Sequence, residues 1–230
     1  MTTPALISPI SWHKKVLSFV MPVKLQEFRS SDNEPFELYI RNGQLQLIFH
    51  NAIYSYGTAY KPFLVAFEHM PQLVRNACSM LVLGSGLGSI PRIVHEKYHR
   101  KDIAFTIVDI DKVILNLCSQ HLHDKGIHNC RFVREDAAVF IRSGREQYDI
   151  ICMDIFRDLQ VPLPFIDYPF LSTLAERLST GGTLAFNYIA PEAGDEARVK
   201  MTLEDIFTDV RQVRYMRNTI FLATKKGAEQ

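Results

Sequence analysis

Cysteine and tryptophan are scarce in this chain, with four and one among 230 residues. Cys78, Cys118, Cys130 and Cys152 are far apart and form no C-x-x-C pair. That excludes the paired-thiol signatures of zinc ribbons and thiol oxidoreductases, and reduced cysteines beside apolar runs read as small hydrophobes. His121, His123 and His128 lack a Cys or carboxylate arrangement that would make them a metal site, and read as surface histidines. There is no excess of one charge either: 26 Lys and Arg against 25 Asp and Glu leave a formal net charge of +1. The basic residues are scattered, so no nucleic-acid field is expected. No apolar run approaches the roughly 18 residues that span a bilayer. Trp12, His13, Lys14 and Lys15 interrupt the mildly apolar N-terminus, and no cleavage site follows, so a cytoplasmic protein without membrane contact is expected. A G-K-[ST] phosphate loop, internal repeats and low-complexity segments are missing as well.

What is present is an ordinary globular composition, 47% hydrophobic and 22% charged, which is enough for one large domain with a small appendage. Residues 1–60 read as a small β-hairpin domain. "VLSFVMPVKLQEF" is β-rich, and Asn42-Gly43 between apolar stretches is a strong hairpin signal. Residues 61–77 read as a linking helix that opens with Pro62 in its first turn. From 78 to 230 strand and helix patterns alternate. The strands are "MLVLG", "IAFTIVDI", "CRFVRED", "YDIICMDI" and "TLAFNYI", and one intervening helix is expected to end at Gly181. The last pair, "VRYM" and "TIFLATK", reads as an antiparallel hairpin turning at "RN". This is the pattern of an α/β protein whose doubly wound, mainly parallel seven-stranded sheet carries an antiparallel edge hairpin.

Chemistry is expected at the strand tips. "LVLGSGLGSI" places Gly84, Gly86 and Gly88 between the first strand of the parallel sheet and its first helix. Glycine there permits unusual dihedrals and lets a ligand touch the backbone. The next three strands end in Asp109, Asp136 and Asp154. A carboxylate at the second tip is placed to accept two ribose hydroxyls, and the third lies near an adenine edge. One such Asp is explained by helix capping; the ordered set favours a nucleoside pocket. The glycine pattern G-x-G-x-G does not complete the dinucleotide motif, which favours an adenosyl ligand without phosphates.

Residues 36–190 resemble the spermidine synthase family within the S-adenosylmethionine-dependent methyltransferase superfamily. The resemblance is carried by "NGQLQLIFHNAIYSYG", "LVLGSGLGS", "VDIDKVI", "REDAAVFI", "YDIICMDIFRDLQVP" and "LAERLSTGGTLAFNYI". It implies a Rossmann-like methyltransferase fold plus a small N-terminal β-domain, and S-adenosylmethionine or its decarboxylated form as cofactor. By the resemblance, Gly84, Ser85, Gly86 and Gly88 line the methionine part of that cofactor. Asp109 and Ile110 meet the ribose, Asp136 and Ala137 the adenine, and Asp154 stands beside the reacting centre. Dimers are frequent in the family, which implies a homodimer.

Three departures from the family pattern favour ordinary S-adenosylmethionine and hence methyl transfer. Leu87 stands where an Asp usually meets the donor's amine, and Arg157 where a second Asp activates the acceptor, with Asp158 one place later. Tyr56 is followed by Gly57 instead of Gln. The expected activity is therefore a methyltransferase acting on a small amine or other nucleophile, a cationic amine being one candidate substrate. Aminopropyl transfer is the alternative, and a non-catalytic nucleoside-binding protein a third class. Asp154 and Asp158 are the candidate bases. Asp158 and Asp167 read equally well as solvated charges. Of Tyr54, Tyr56 and Tyr60, Tyr56 is the candidate pocket wall. The loop "QVPLPFIDYP" reads as a semi-rigid lid or a connector.

Overall fold

In the computed structural model, which describes residues 7–49, 52–55 (backbone), 57–157 and 160–225, the chain opens with a helix, α1 (Trp12–Leu17). The sequence pattern predicts an extended segment there. Tertiary contact decides the difference: buried Ser18 closes the helix and accepts Asn42 N–H on its carbonyl (2.8 Å) and Gly43 N–H on its hydroxyl (3.1 Å). Strands β1 (Val23–Phe28), β2 (Phe36–Arg41), β3 (Gln44–Phe49) and β4 (Ala52–Ser55) form an antiparallel sheet in chain order. The β2–β3 turn is Asn42-Gly43, both left-handed (φ 49° and 70°), the geometry that matches strand twist in a two-residue hairpin.

The linker holds two helices instead of one, α2 (Lys61–Glu68) and α3 (Pro71–Asn76). Pro71 cannot continue the first helix and starts the second. Beyond it run β5 (Ser79–Leu83), α4 (Ser89–Lys97), β6 (Ala104–Asp109), α5 (Lys112–Asp124), β7 (Cys130–Arg134), α6 (Ala137–Ser143) and β8 (Tyr148–Met153). Then come α7 (Tyr168–Glu176), β9 (Leu178–Tyr188), α8 (Asp195–Ile206), β10 (Asp209–Tyr215) and β11 (Asn218–Thr224). The seven-stranded sheet has the order β10-β11-β9-β8-β5-β6-β7, parallel except at β11, which pairs antiparallel with both β9 and β10. The β5-β6-β7 run goes one way and β8-β9 the other, so strand order reverses between β5 and β8, where open α/β sheets place their ligand crevice.

Two boundaries differ from the sequence pattern. Helix α7 ends at Glu176, not at Gly181, and β9 starts at Leu178 opposite Tyr148. Buried Arg177 drives this: its guanidinium donates to the carbonyls of Glu146 (2.6 Å) and Ile141 (3.2 Å), which pins the chain to α6 and the loop that leads into β8 as soon as the helix stops. The edge hairpin turns at Met216-Arg217, because Tyr215 pairs with Asn218.

The core has three parts. Residues of α2–α5 cover one sheet face and those of α6–α8 the other. The third joins Phe36, Leu38 and Leu47 of the N-terminal sheet to Leu87, Ile114 and Leu117 of the larger domain. Leu87 is thus a buried hinge-pin between domains. His121 is buried beside Arg92 (3.3 Å), not at the surface, and burial, then the guanidinium, push its pKa down to about 3. All four cysteines are free; Cys118 and Cys152 are buried and Cys78 is exposed. Among the described residues, no helix is long and apolar enough to cross a membrane.

Gly88 precedes α4 with φ 74°, and a Cβ there would run into Leu122 of α5. Gly88→Ala is expected to lower stability by about 2–4 kcal/mol, from left-handed strain plus overpacking. Urea unfolding measures it, and a loss within error of zero would show that α4 and α5 separate freely.

Candidate active site

The glycine turn, the three aspartate tips and the linker meet at one cavity of about 1140 Å³ over the β5/β8 switch point. Gly84, Gly86, Asp109, Ile110, Asp136, Ala137 and Asp154 all line it. Ser85 and Gly88 do not; they stand behind the wall. Ser85 donates its N–H and its hydroxyl to Asp109 Oδ2, each at 2.8 Å, and Gly88 leads into α4. Asp109 Oδ1 accepts the Asp111 N–H (3.0 Å). Three of the four acceptor positions of this carboxylate are therefore filled, leaving room for one ribose hydroxyl and not two. Burial raises the Asp109 pKa, against the pull of Ser85 and the Asp111 amide.

Asp136 both caps and lines. Its Oδ1 accepts Ala138 N–H (2.9 Å) and Val139 N–H (3.1 Å) at the start of α6, and its Oδ2 has no partner among the described residues. Asp111 likewise caps α5, and Asp167 caps α7 through Phe170 N–H (2.9 Å). Asp167 is a helix start, away from the cavity lining. Asp158 and Tyr56 lie outside the described residues, as does the Tyr54 side chain. The "QVPLPFIDYP" segment contributes Pro162 and Phe165 to the wall, and Phe165 is anchored edge-on to Phe170 in the core.

Asp154 sits at the centre. Its N–H donates to Leu83 O (2.8 Å), which ties the β8 tip to β5. Its Oδ1 accepts the Tyr60 hydroxyl (2.9 Å) and the Asn187 amide (2.9 Å), and Asn187 Oδ1 accepts from Asn218 Nδ2 (2.9 Å). Burial pushes the Asp154 carboxyl up to about 6, with Asn187 and Tyr60 restraining the rise. Oδ2 has no partner among the described residues. A carboxylate in this state holds or accepts a proton near neutral pH.

The sequence reading missed Asn187 and Asn218 and ranked Tyr56 above Tyr60. The signal was there for one of them: Asn187 is a lone amide in the apolar strand "TLAFNYI", and a fully buried amide requires partners. Nothing local marks Asn218, which reaches the site through sheet order.

No family model matches the chain. It is 27% identical over 117 residues to a probable polyamine aminopropyl transferase of Bifidobacterium longum, a match covering 51% of this chain and 25% of that one. In structure it is similar to a probable spermidine synthase from Corynebacterium glutamicum, with TM-score 0.72, 15% identity, and 86% of this chain and 79% of that one covered. The chain has the spermidine synthase-like form of the class I methyltransferase fold. Human methyltransferase-like protein 13 in complex with SAH shares it more distantly, with TM-score 0.57, 21% identity, and 75% and 79% covered. The chain spans between a quarter and about two fifths of the length of the curated relatives it matches.

The raised Asp154 carboxyl makes stability depend on pH. Below about pH 4 the group is protonated in both folded and unfolded chains and costs nothing. Between the ordinary value of 3.8 and about 6 the unfolded chain loses the proton first, so stability falls, and above that the loss is complete. Asp154→Asn is expected to be more stable than the wild type at pH 8, on the order of 1–2 kcal/mol, and equal to it at pH 4. Thermal melts at the two pH values test this, and a destabilised variant at pH 8 would mean that Asp154 is ionised at little cost.

Proposed function

We propose that the chain transfers an alkyl group from an S-adenosyl sulfonium donor to an amine, aminopropyl transfer being the form that its relatives support. The comparisons favour this alternative over methyl transfer, the first reading of the sequence, since the curated relatives are named as a probable polyamine aminopropyl transferase, a polyamine aminopropyltransferase and a spermine synthase. The observation that carries the proposal is Asp154, a carboxyl pushed up to about 6 that lines the cavity of about 1140 Å³ at the switch point.

The residues fit such a donor. Gly84 and Gly86 line the cavity without side chains, Asp109 Oδ1 has one acceptor position left, and Asp136 Oδ2 is open. When bound, the donor supplies an electrophilic carbon: the amine lone pair forms the new C–N bond, sulfur keeps the electrons of the broken C–S bond, and one N–H proton is released. The chain's part is positioning and proton handling. Asp154 Oδ2 is placed to orient the amine and receive that proton. Tyr60 and Asn187 hold the carboxyl still through its other oxygen.

Methyl transfer is the second reading, favoured by Leu87. That side chain is buried with Phe36 and Leu117 and does not line the cavity, so no carboxylate there meets a free propylamine.

Competition binding with S-adenosylmethionine and its decarboxylated form, followed by product mass after incubation with amines, separates the two. Preference for the decarboxylated donor with an aminopropylated product is expected; a methylated product establishes the second reading, and binding without turnover of either refutes both. Asp109→Ala is expected to weaken donor binding by about 2 kcal/mol, the scale of a charge-assisted hydrogen bond, and unchanged affinity would move the ribose elsewhere.

A further inference from the structure

The cavity is divided by charge. Its β6–β7 end carries Asp32, Asp109, Glu135 and Asp136, with Asp32 held there by Arg134 of β7 (3.3 Å). Across the switch point, among the described lining residues, the only carboxylate is Asp154, and three exposed cations line the same cavity. Lys61 follows Tyr60, Arg157 lies three residues after Asp154, and Arg217 precedes Asn218. None of these three has an ion pair or side-chain hydrogen bond among the described residues. By contrast Arg92 and Arg134 are paired with acids, and Arg177 is spent on backbone carbonyls.

Both arginines are presented by constrained backbone. Arg157 exchanges main-chain hydrogen bonds with Gln160 (2.9 and 3.1 Å). Arg217 sits in the two-residue turn of the edge hairpin after Met216, whose φ of 53° is the left-handed geometry that such turns require. A plain diamine is doubly charged at neutral pH, and three cations in a half-cavity with one carboxylate repel it. A carboxylate is what unpaired guanidinium groups recognise, through paired N–H donors.

On the transferase reading above, we propose that this half of the cavity takes an acceptor with a carboxylate beside its reacting amine, an amino-acid-like amine in place of a plain polyamine. Arg157 and Arg217 receive the carboxylate, and Asp154 receives the amine.

Ornithine and putrescine differ by one carboxylate and make a matched pair of probes. Each is titrated calorimetrically into the full chain, alone and saturated with S-adenosylhomocysteine. Ornithine is expected to bind at least about tenfold more tightly, the scale of a charge-assisted contact. Arg157→Gln with Arg217→Gln is expected to abolish that preference while circular dichroism stays unchanged, and Arg217→Lys to restore part of it. Equal or tighter putrescine binding, no binding of either amine, or a preference that survives the double variant overturns the proposal. A donor could supply the carboxylate instead, so S-adenosylhomocysteine is compared with methylthioadenosine, which lacks the amino-acid tail. If the double variant weakens only the former and leaves the amine pair unchanged, the carboxylate belongs to the donor and the acceptor assignment fails. Absence of binding of both S-adenosylhomocysteine and methylthioadenosine overturns the transferase reading itself; the titrations without either keep that failure separate from this one.

Discussion

Gly84 and Asp154 leave no space between them. A Cβ on Gly84, whose φ is 91°, would collide with the Asp154 carbonyl oxygen. The tips of β5 and β8 therefore close directly on each other, with Gly84 N–H on Val108 O and Asp154 N–H on Leu83 O completing the weave across β6, β5 and β8. This contact brings a backbone free of side chain and a titratable carboxyl to one wall of one cavity. Any side chain at Gly84 would push the two tips apart and with them the two halves of the site.

Around that contact, separate parts of the chain converge on one oxygen. Tyr60 comes from the linker between domains, Asn187 from the middle of the sheet, and Asn218 acts through Asn187 from the edge hairpin. Each bond draws the carboxyl toward its ionised form, while burial pulls the other way and prevails. The N-terminal sheet joins through a different device: Asn33 donates to Asp111 (2.7 Å), and Leu87 packs beneath the sheet. The glycine turn thereby serves two surfaces, with Gly84 and Gly86 toward the cavity and Leu87 toward the small domain.

Much of this was legible in the residues, where local chemistry decides the outcome. Alternating apolar runs marked the parallel strands, Asn42-Gly43 marked its turn, and the aspartates at the tips marked both caps and cavity. Legibility ended where a distant partner decides. Helix α1 depends on Ser18 meeting the hairpin turn, and β9 begins early because Arg177 finds carbonyls on α6 and on the loop before β8. The second oxygen of Asp109 belongs to Ser85, a bond that no spacing rule announces. Asn187 looked out of place in its strand, yet only the sheet order β11-β9-β8 shows what it holds.

The edge hairpin has a consequence for how such a site can change over generations. Parallel strands are threaded by helices, so altering one of their crossovers disturbs the packing of a whole sheet face. The β10–β11 connection is a two-residue turn at the end of the last pair, with nothing threaded through it. Residues there can be exchanged, or the turn lengthened, while β5, β6 and β8 stay in place. The fold thus keeps its buried carboxyl, Asp154, on its most constrained strands and Arg217, at the rim of the same cavity, on its most replaceable turn. Descendants of one scaffold can diverge at that rim while the strands that fix the carboxyl stay as they are.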